Sequence, residues 1–456
     1  MTAQQIYHDR AWLKERLQRH FSELFRLATP TVLMRIGILG LGMVDTAMVG
    51  HYATQHLAWL NLANQSVIMF SLVVGIGLVS GIIVYTSNAY GTDDFIGAGK
   101  VWRRSVPFSA LIGLILIGVA WPAEYWLTLL GQTPENAATS GHLVQILALG
   151  MPGHMLFITC TMFMEGVKRA EVGFYLMLFA NIINVALNYM LIFGHFGMPE
   201  MGAEGSAWAS TAVRWVMAIT ALIYVWNAPS LRKFAVRSPH GQAWNEWSDQ
   251  RQIGYASGVS LAAEVIAFAA LAVFAGWLGT VPLAAHGVAS QMLGLPLMIS
   301  IGIGFATTVR VGIAFSRRDK ADILLAGCVG IFLNLVFAGI LGLVIYFQNA
   351  EILAIFTKDS RIIEILLPIA LIYAVGMVFD ASQMVASLVL RGLKETWWPT
   401  YLQSFSFILV MLPFSYLLAF KADMGLKGLI MGMLIGVIVA FALQIARFWI
   451  LMRRSF

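Results

Sequence analysis

Twelve stretches of this chain run for about twenty residues or more with almost no charge, and no other feature limits its folding so severely. They fall at approximately 27–49, 58–89, 105–130, 138–164, 172–194, 205–228, 252–278, 283–315, 322–346, 363–390, 397–420 and 428–450. A helix of about 20 apolar residues crosses the hydrocarbon layer of a bilayer, where only helices and closed barrels satisfy their own backbone polar groups. The composition agrees, with 59% hydrophobic and 11% charged residues against roughly 25% charged in soluble domains. A chain this apolar has no means of burying its surface alone in water. The expected fold class is an all-α polytopic membrane protein with twelve transmembrane helices.

The net charge of +6 acquires its meaning from where the cations sit. The connections at 50–57, 131–137 and 195–204 carry no Lys or Arg. The alternate ones carry Lys100, Arg103 and Arg104; Lys168 and Arg169; Arg232, Lys233, Arg237 and Arg251; Arg317, Arg318 and Lys320; Arg391 and Lys394. With both terminal segments included, 21 of the 29 cations lie on one side and four (Lys358, Arg361, Lys421, Lys427) on the other. Cations accumulate on the cytoplasmic side of membrane proteins, so both termini are expected there. The basic balance is thus a topology signal, and nucleic acid is not an expected partner.

Arg10, Lys14, Arg16, Arg19 and Arg26 precede the first span, and no small-residue cleavage site follows a short apolar core, so no cleaved signal is expected. Cys160 and Cys328 both fall inside apolar segments, which argues against a disulfide framework or a metal knuckle. No nucleophile–base pair, haem spacing or metal motif occurs within the spans, so an intramembrane enzyme is not expected, nor is any cofactor. The glycine spacings in "VVGIGLVSG" and "SIGIGFATT" follow no strand and read as close helix packing.

The two halves echo each other in one constant register. "HLAWLNLANQ" at 56 aligns with "PLAAHGVASQ" at 282, and "MEGVKRAEVGFYL" at 164 aligns with "LRGLKETWWPTYL" at 390 without any shift between the two pairs. Six spans per half is an even number, so the halves share one orientation and are related by an axis along the bilayer normal. Parallel repeats of this kind are a transporter architecture. The expected domains are 1–228, holding the N-terminal segment and six spans, a linker at 229–250, and 251–456 with the other six.

Three carboxylates sit well inside spans: Asp45, Glu264 and Asp380. At about 1.5 Å per helical residue, Glu264 lies roughly 20 Å from the level of Arg251, and Asp380 roughly 16 Å from Arg391. Both belong to the second half near mid-membrane. Two carboxylates sharing a low-dielectric site do not both stay ionised unless a cation joins them. The pair is therefore a candidate site for Na⁺ or H⁺. Asp45 lies further out, roughly 28 Å from Arg26, level with Asn188 in "FANIINVALNYMLIFG", where Asn184 and Asn188 share a helix face. The competing readings are neutralisation of the acids by Arg35 or Arg214, the cations deep in spans, and plain interhelical hydrogen bonding for the asparagines. His154 is the repeat counterpart of Asp380 and a candidate titrating group, with satisfied packing as its alternative.

The motifs "ATPTV…GMVDTAMVGH", "NVALNYMLIFGHFGMPEMGAEG", "AAEV", "TTVRVG" and "LRGLKET" together resemble those of multidrug and toxic compound extrusion (MATE) transporters of the NorM-like branch, across nearly the whole chain. The resemblance implies two six-helix lobes in a V around a central cavity. It also implies export of amphipathic, mostly cationic organic compounds in exchange for Na⁺ or H⁺. Asp45 falls on the family's first-span acid, Asn184 and Asn188 on its fifth-span amides, and Ser210 where relatives often carry threonine. Glu264 and Asp380 fall on its cation-binding acids and are the candidate ligands for Na⁺. Gly376 replaces an aromatic found in some NorM-like members, Asn188 is an aspartate in the archaeal-type branch, and Arg35 has no counterpart.

The function expected is multidrug antiport by alternating access, in the bacterial cytoplasmic (inner) membrane and as a monomer. The alternative is a lipid-linked precursor flippase of the same superfamily. That activity calls for a cationic cavity, whereas the mid-span charges lean acidic.

Overall fold

The structure, a computed structural model, describes residues 10–238, 242–356 and 359–453. Residues 239–241 of the expected linker, and Lys358 and Arg454 of the charge tally, lie outside the described residues. Among the described residues there is no strand, and eleven helices are long and apolar enough to cross a membrane, or up to twelve if one bent pair counts as a span. In chain order they are α1 (Arg10–Tyr52), α2 (Thr54–Gly91), α3 (Phe95–Ala120), the bent pair α4 (Pro134–Ala148) and α5 (Met151–Gly166), α6 (Ala170–Phe193) and α7 (Ala203–Asn227). There follow α8 (Ser248–Trp277), α9 (Thr280–Ser316), α10 (Lys320–Phe347), α11 (Ser360–Gly392), α12 (Trp398–Lys421) and α13 (Gly425–Arg453).

Helix boundaries follow local chemistry. Asp94 caps α3 by accepting from the Gly97 N–H at 2.8 Å, and Asp319 caps α10 by accepting from the Asp322 N–H at 3.0 Å. Gly194 ends α6 at φ 71°, a left-handed conformation that glycine adopts without strain. The fourth span, expected as one run over 138–164, is instead two helices bent by 43°. Pro152 near the start of α5 has no N–H to donate back, and a Cβ on Gly150 would lie 2.9 Å from Arg214 Cδ. The break admits an arginine. The first helix also begins well before residue 27, extending the apolar span with a cationic leading half.

The chain divides into two compact units, Met1–Val32 with Ser260–Phe456 (the C-terminal unit) and Leu33–Val259 (the N-terminal unit). The division passes through α1 and α8. Charge explains why the leading half of α1 groups with the later helices. Arg16 binds Asp319 at 2.9 Å and Asp322 at 2.7 Å, Arg19 binds Asp322 at 2.7 Å, and His20 lies 3.2 Å from Asp322. Arg310 contacts His20 at 3.0 Å and pairs with Glu23.

Each unit encloses one helix. In the N-terminal unit every residue of α5 is buried, packed against α3 and α7. In the C-terminal unit α11 is packed by α9, α10 and α13. His154 and Asp380, counterparts in the repeat, stand on these two central helices, so the repeat read from sequence coincides with the packing. Close approach depends on missing side chains: a Cβ on Gly432 of α13 would lie 2.3 Å from the Ser415 backbone of α12.

Candidate functional site

In the N-terminal unit three helices converge on Asp45. Gly40 of α1 lets α6 come close, since a Cβ there would lie 3.0 Å from Asn181 Oδ1, and Asn181 donates to the Gly37 carbonyl at 3.1 Å. One and two turns further along α6, Asn184 and Asn188 donate to Asp45 Oδ1 at 3.1 and 2.6 Å. Asn188 also donates to Asn184 Oδ1 at 3.2 Å. From α7, the Ser210 hydroxyl donates to Asp45 Oδ2 at 2.5 Å. Asp45 is 6% exposed and both asparagines are fully buried.

These contacts explain how a carboxylate tolerates this position. Three donors meet its two oxygens, the arrangement that compensates an ionised carboxyl away from water. Arg214, one turn beyond Ser210, acts electrostatically on Asp45 while donating to the Leu147 carbonyl at 2.9 Å. Arg214 thus contributes a field, with no ion pair to the acid among the described contacts. Asn188 Oδ1 has no hydrogen-bond partner, leaving one acceptor at the site.

Arg35 is not a counter-ion of Asp45. It pairs with Glu165 of α5 at 3.5 Å, both side chains being almost fully buried. Glu165 is a fourth buried carboxylate, standing one residue past the expected end of its span and so apart from the three mid-span acids. His154 is buried near the start of α5, with Arg214 and Arg35 as its electrostatic neighbours.

In the C-terminal unit, α8 supplies Glu264 and α11 supplies Asp380, and the two carboxylates are close enough to interact electrostatically. Gln403 of α12 donates to Glu264 Oε2 at 2.6 Å and accepts from the Ser260 hydroxyl at 2.5 Å. Asp380 Oδ1 has no hydrogen-bond partner. With Gln403 on Glu264 and Gln383 on Asp380, two acids here have fewer donors than Asp45 alone receives. Two carboxyls so placed do not both stay ionised without further compensation.

Two further residues of this site were not singled out in the sequence. Gln403 stands as a single amide in its span, without the second amide one turn on that marks Asn184 and Asn188, although an amide within a span is itself a signal. Tyr373, two turns before Asp380, lies within electrostatic reach of that acid and donates its hydroxyl to the Ala289 carbonyl. At the position of the substituted aromatic, Gly376, a Cβ would lie 3.2 Å from Met433 Cε, so a side chain there meets the tip of that methionine.

Comparison with known proteins matches this architecture. The MatE family model matches the chain twice, over residues 30–190 and 256–417, and the two starts stand in the register of the repeat. The chain is 30% identical over 429 residues to the "Probable multidrug resistance protein NorM" of Caulobacter vibrioides, covering 93% of this chain and 90% of the relative. It is 29% identical over 433 residues to the "Multidrug resistance protein PmpM" of Pseudomonas aeruginosa, covering 92% and 89%. Its fold is similar to the crystal structure of the eukaryotic MATE transporter AtDTX14, with TM-score 0.88, 19% identity and coverage of 95% and 96%. A MATE crystal structure in a bent conformation matches with TM-score 0.86 and 19% identity, covering 97% and 98%.

Proposed function

Because the chain belongs to the MatE family, we propose that it is a multidrug efflux antiporter that exports amphipathic, mostly cationic organic compounds in exchange for Na⁺ or H⁺. One observation carries this reading: Glu264 and Asp380 are buried side by side with too few donors to satisfy both as anions. Such a pair has differential affinity for a small cation, and only differential affinity allows a ligand to shift a conformational equilibrium. Asp45, with Asn184, Asn188 and Ser210, is the second titratable station and the negative element that attracts an organic cation. The repeats 1–228 and 251–456, joined by 229–250, act as the moving lobes of an alternating-access cycle. The cation-rich end faces the cytoplasm, so both termini are cytoplasmic and the coupling ion enters from the opposite side of a bacterial inner membrane. The protein works as a monomer.

The test is efflux of a fluorescent organic cation from proteoliposomes under an imposed Na⁺ gradient, then under a pH gradient alone. One gradient drives export and the other does not, or both do. Transport under neither removes the antiport reading. Asp45→Asn, which keeps the shape but loses the charge, abolishes export while the purified protein stays monodisperse. Normal drug resistance in cells carrying that variant defeats the role given to Asp45.

A further inference from the structure

The acid pair of the C-terminal unit continues into a buried polar seam directed toward the cation-rich end. On α11, Asp380, Gln383, Ser387 and Arg391 recur at spacings of three and four, which places them on one helix face, and all four are buried. Gln444 of α13 donates through Nε2 to Gln383 Oε1 at 3.3 Å, and both side chains are fully buried. On α12, Gln403 holds Glu264, while Thr400, one turn earlier, accepts from Arg391 at 3.3 Å. The seam therefore has the acids at its inner end and a buried guanidinium at the end nearer the loop cations.

Its polar atoms are incompletely satisfied. Asp380 Oδ1, Gln444 Oε1 and Arg391 Nη1 have no hydrogen-bond partner, and the Gln383 side chain acts on the Asp380 carboxyl. Buried polar atoms left bare are costly, and native proteins meet them with water or an ion. The fold itself does not demand polarity here. In the repeat, the counterparts of Gln383, Gln403 and Gln444 are Phe157, Met177 and Ala218, and the N-terminal unit packs with those apolar side chains. The cation-rich ends differ too. Glu165, the counterpart of Arg391, is paired with Arg35, whereas Arg391 leans on a neutral hydroxyl.

We propose that this seam is the route by which the coupling cation passes between the Glu264–Asp380 pair and the cytoplasm, with Arg391 as a positive gate at its mouth. The proposal rests on the antiport reading and its orientation. Amide and carboxyl oxygens stand in for the hydration shell of a small monovalent cation along the way. A guanidinium in this place opposes passage of a cation in either direction and keeps uncoupled leak low, so the cation passes when Arg391 moves aside.

The full-length protein in proteoliposomes provides the test, with drug transport measured on each gradient and equilibrium binding of drug and radiolabelled Na⁺ measured in detergent. Gln444→Leu slows transport roughly tenfold on whichever gradient drives the unaltered protein, while equilibrium binding changes by less than about threefold, and Gln383→Leu, which also removes a group acting on Asp380, slows it at least as much. Arg391→Gln raises drug-free leak of the coupling ion by roughly tenfold. Independently, Ser387→Cys, in a protein whose Cys160 and Cys328 are replaced, reacts with a membrane-impermeant thiol reagent added from the cytoplasmic side. Leucine variants that transport at the unaltered rate overturn the route, as does loss of ion binding in proportion to transport. An unreactive Ser387→Cys overturns it even where the leucine variants fail to fold. Should the unaltered protein couple drug to neither gradient, the antiport reading itself fails; coupling with indifferent variants removes the seam alone.

Discussion

The two units bury acids in opposite ways. Around Asp45, two asparagines and a serine supply donors to both carboxylate oxygens. Around Glu264 and Asp380, Gln403 serves the first carboxyl and Gln383 the second, and Asp380 Oδ1 is left bare. Neither site is a copy of the other: in the repeat, the counterpart of Asp45 is Leu271 and that of Glu264 is Ile38. The common fold therefore sets the helix packing without setting the chemistry. A donor-rich site carries a negative charge cheaply and releases its counter-ion readily. A donor-poor one needs a cation or protons to exist at all.

The largest effect expected from breaking this contrast is at the donor-poor site. Glu264→Gln together with Asp380→Asn removes both charges, and gradient-driven export should fall to the level of empty liposomes, while drug still binds in detergent. Loss of drug binding along with transport would instead make the pair a substrate site. Next in size is the buried ion pair of the other unit. Glu165→Leu strands the Arg35 guanidinium and should cost about 3–5 kcal/mol, read as a lower melting temperature in detergent, and Arg35→Leu with Glu165→Leu should recover most of it. A double variant no more stable than the single would show that Arg35 depends on other contacts.

Smaller changes sharpen the comparison at Asp45. Ser210→Ala deletes one of its three donors and should cost about 1.5–3 kcal/mol of charged hydrogen bonding, raising the half-saturating drug concentration by roughly tenfold or more. Ser210→Thr, which keeps the hydroxyl, should be near neutral. The mildest is Asn188→Asp, which exchanges a donor for a second acid and makes this site resemble the Glu264–Asp380 pair. It should add one Na⁺-binding site by equilibrium dialysis with little loss of fold. Unchanged stoichiometry would mean that donor count alone does not decide cation affinity.

Much of this arrangement was legible in the sequence because its determinants are local. Apolar runs mark spans, loop cations mark sides, and a constant register between the halves marks the repeat. The convergence of Asp45 with Asn184 and Asn188 followed from equal depth along two helices. What escaped notice depends on how helices are rotated and bent. The pairing of Arg35 with Glu165 requires the register of α1 against α5, and the 43° break that starts α5 depends on the room an arginine takes. Gln403 is a single amide in its span and Tyr373 carries no charge, so neither stood out. The grouping of residues before Val32 with the later helices rests on ion pairs between segments far apart in the chain, for example Arg16 with Asp319 at a separation of 303, and no periodicity reveals those.

The gap at Gly150 turns a kink into a port for the Arg214 stem, so the field felt by Asp45 is governed by a residue that has no side chain. A single methyl group there would displace the guanidinium and retune the acid at a distance. Under the role proposed for Asp45, substitution of Gly150 changes drug tolerance with every charged residue intact, and a search for resistance determinants confined to acids and arginines would overlook it.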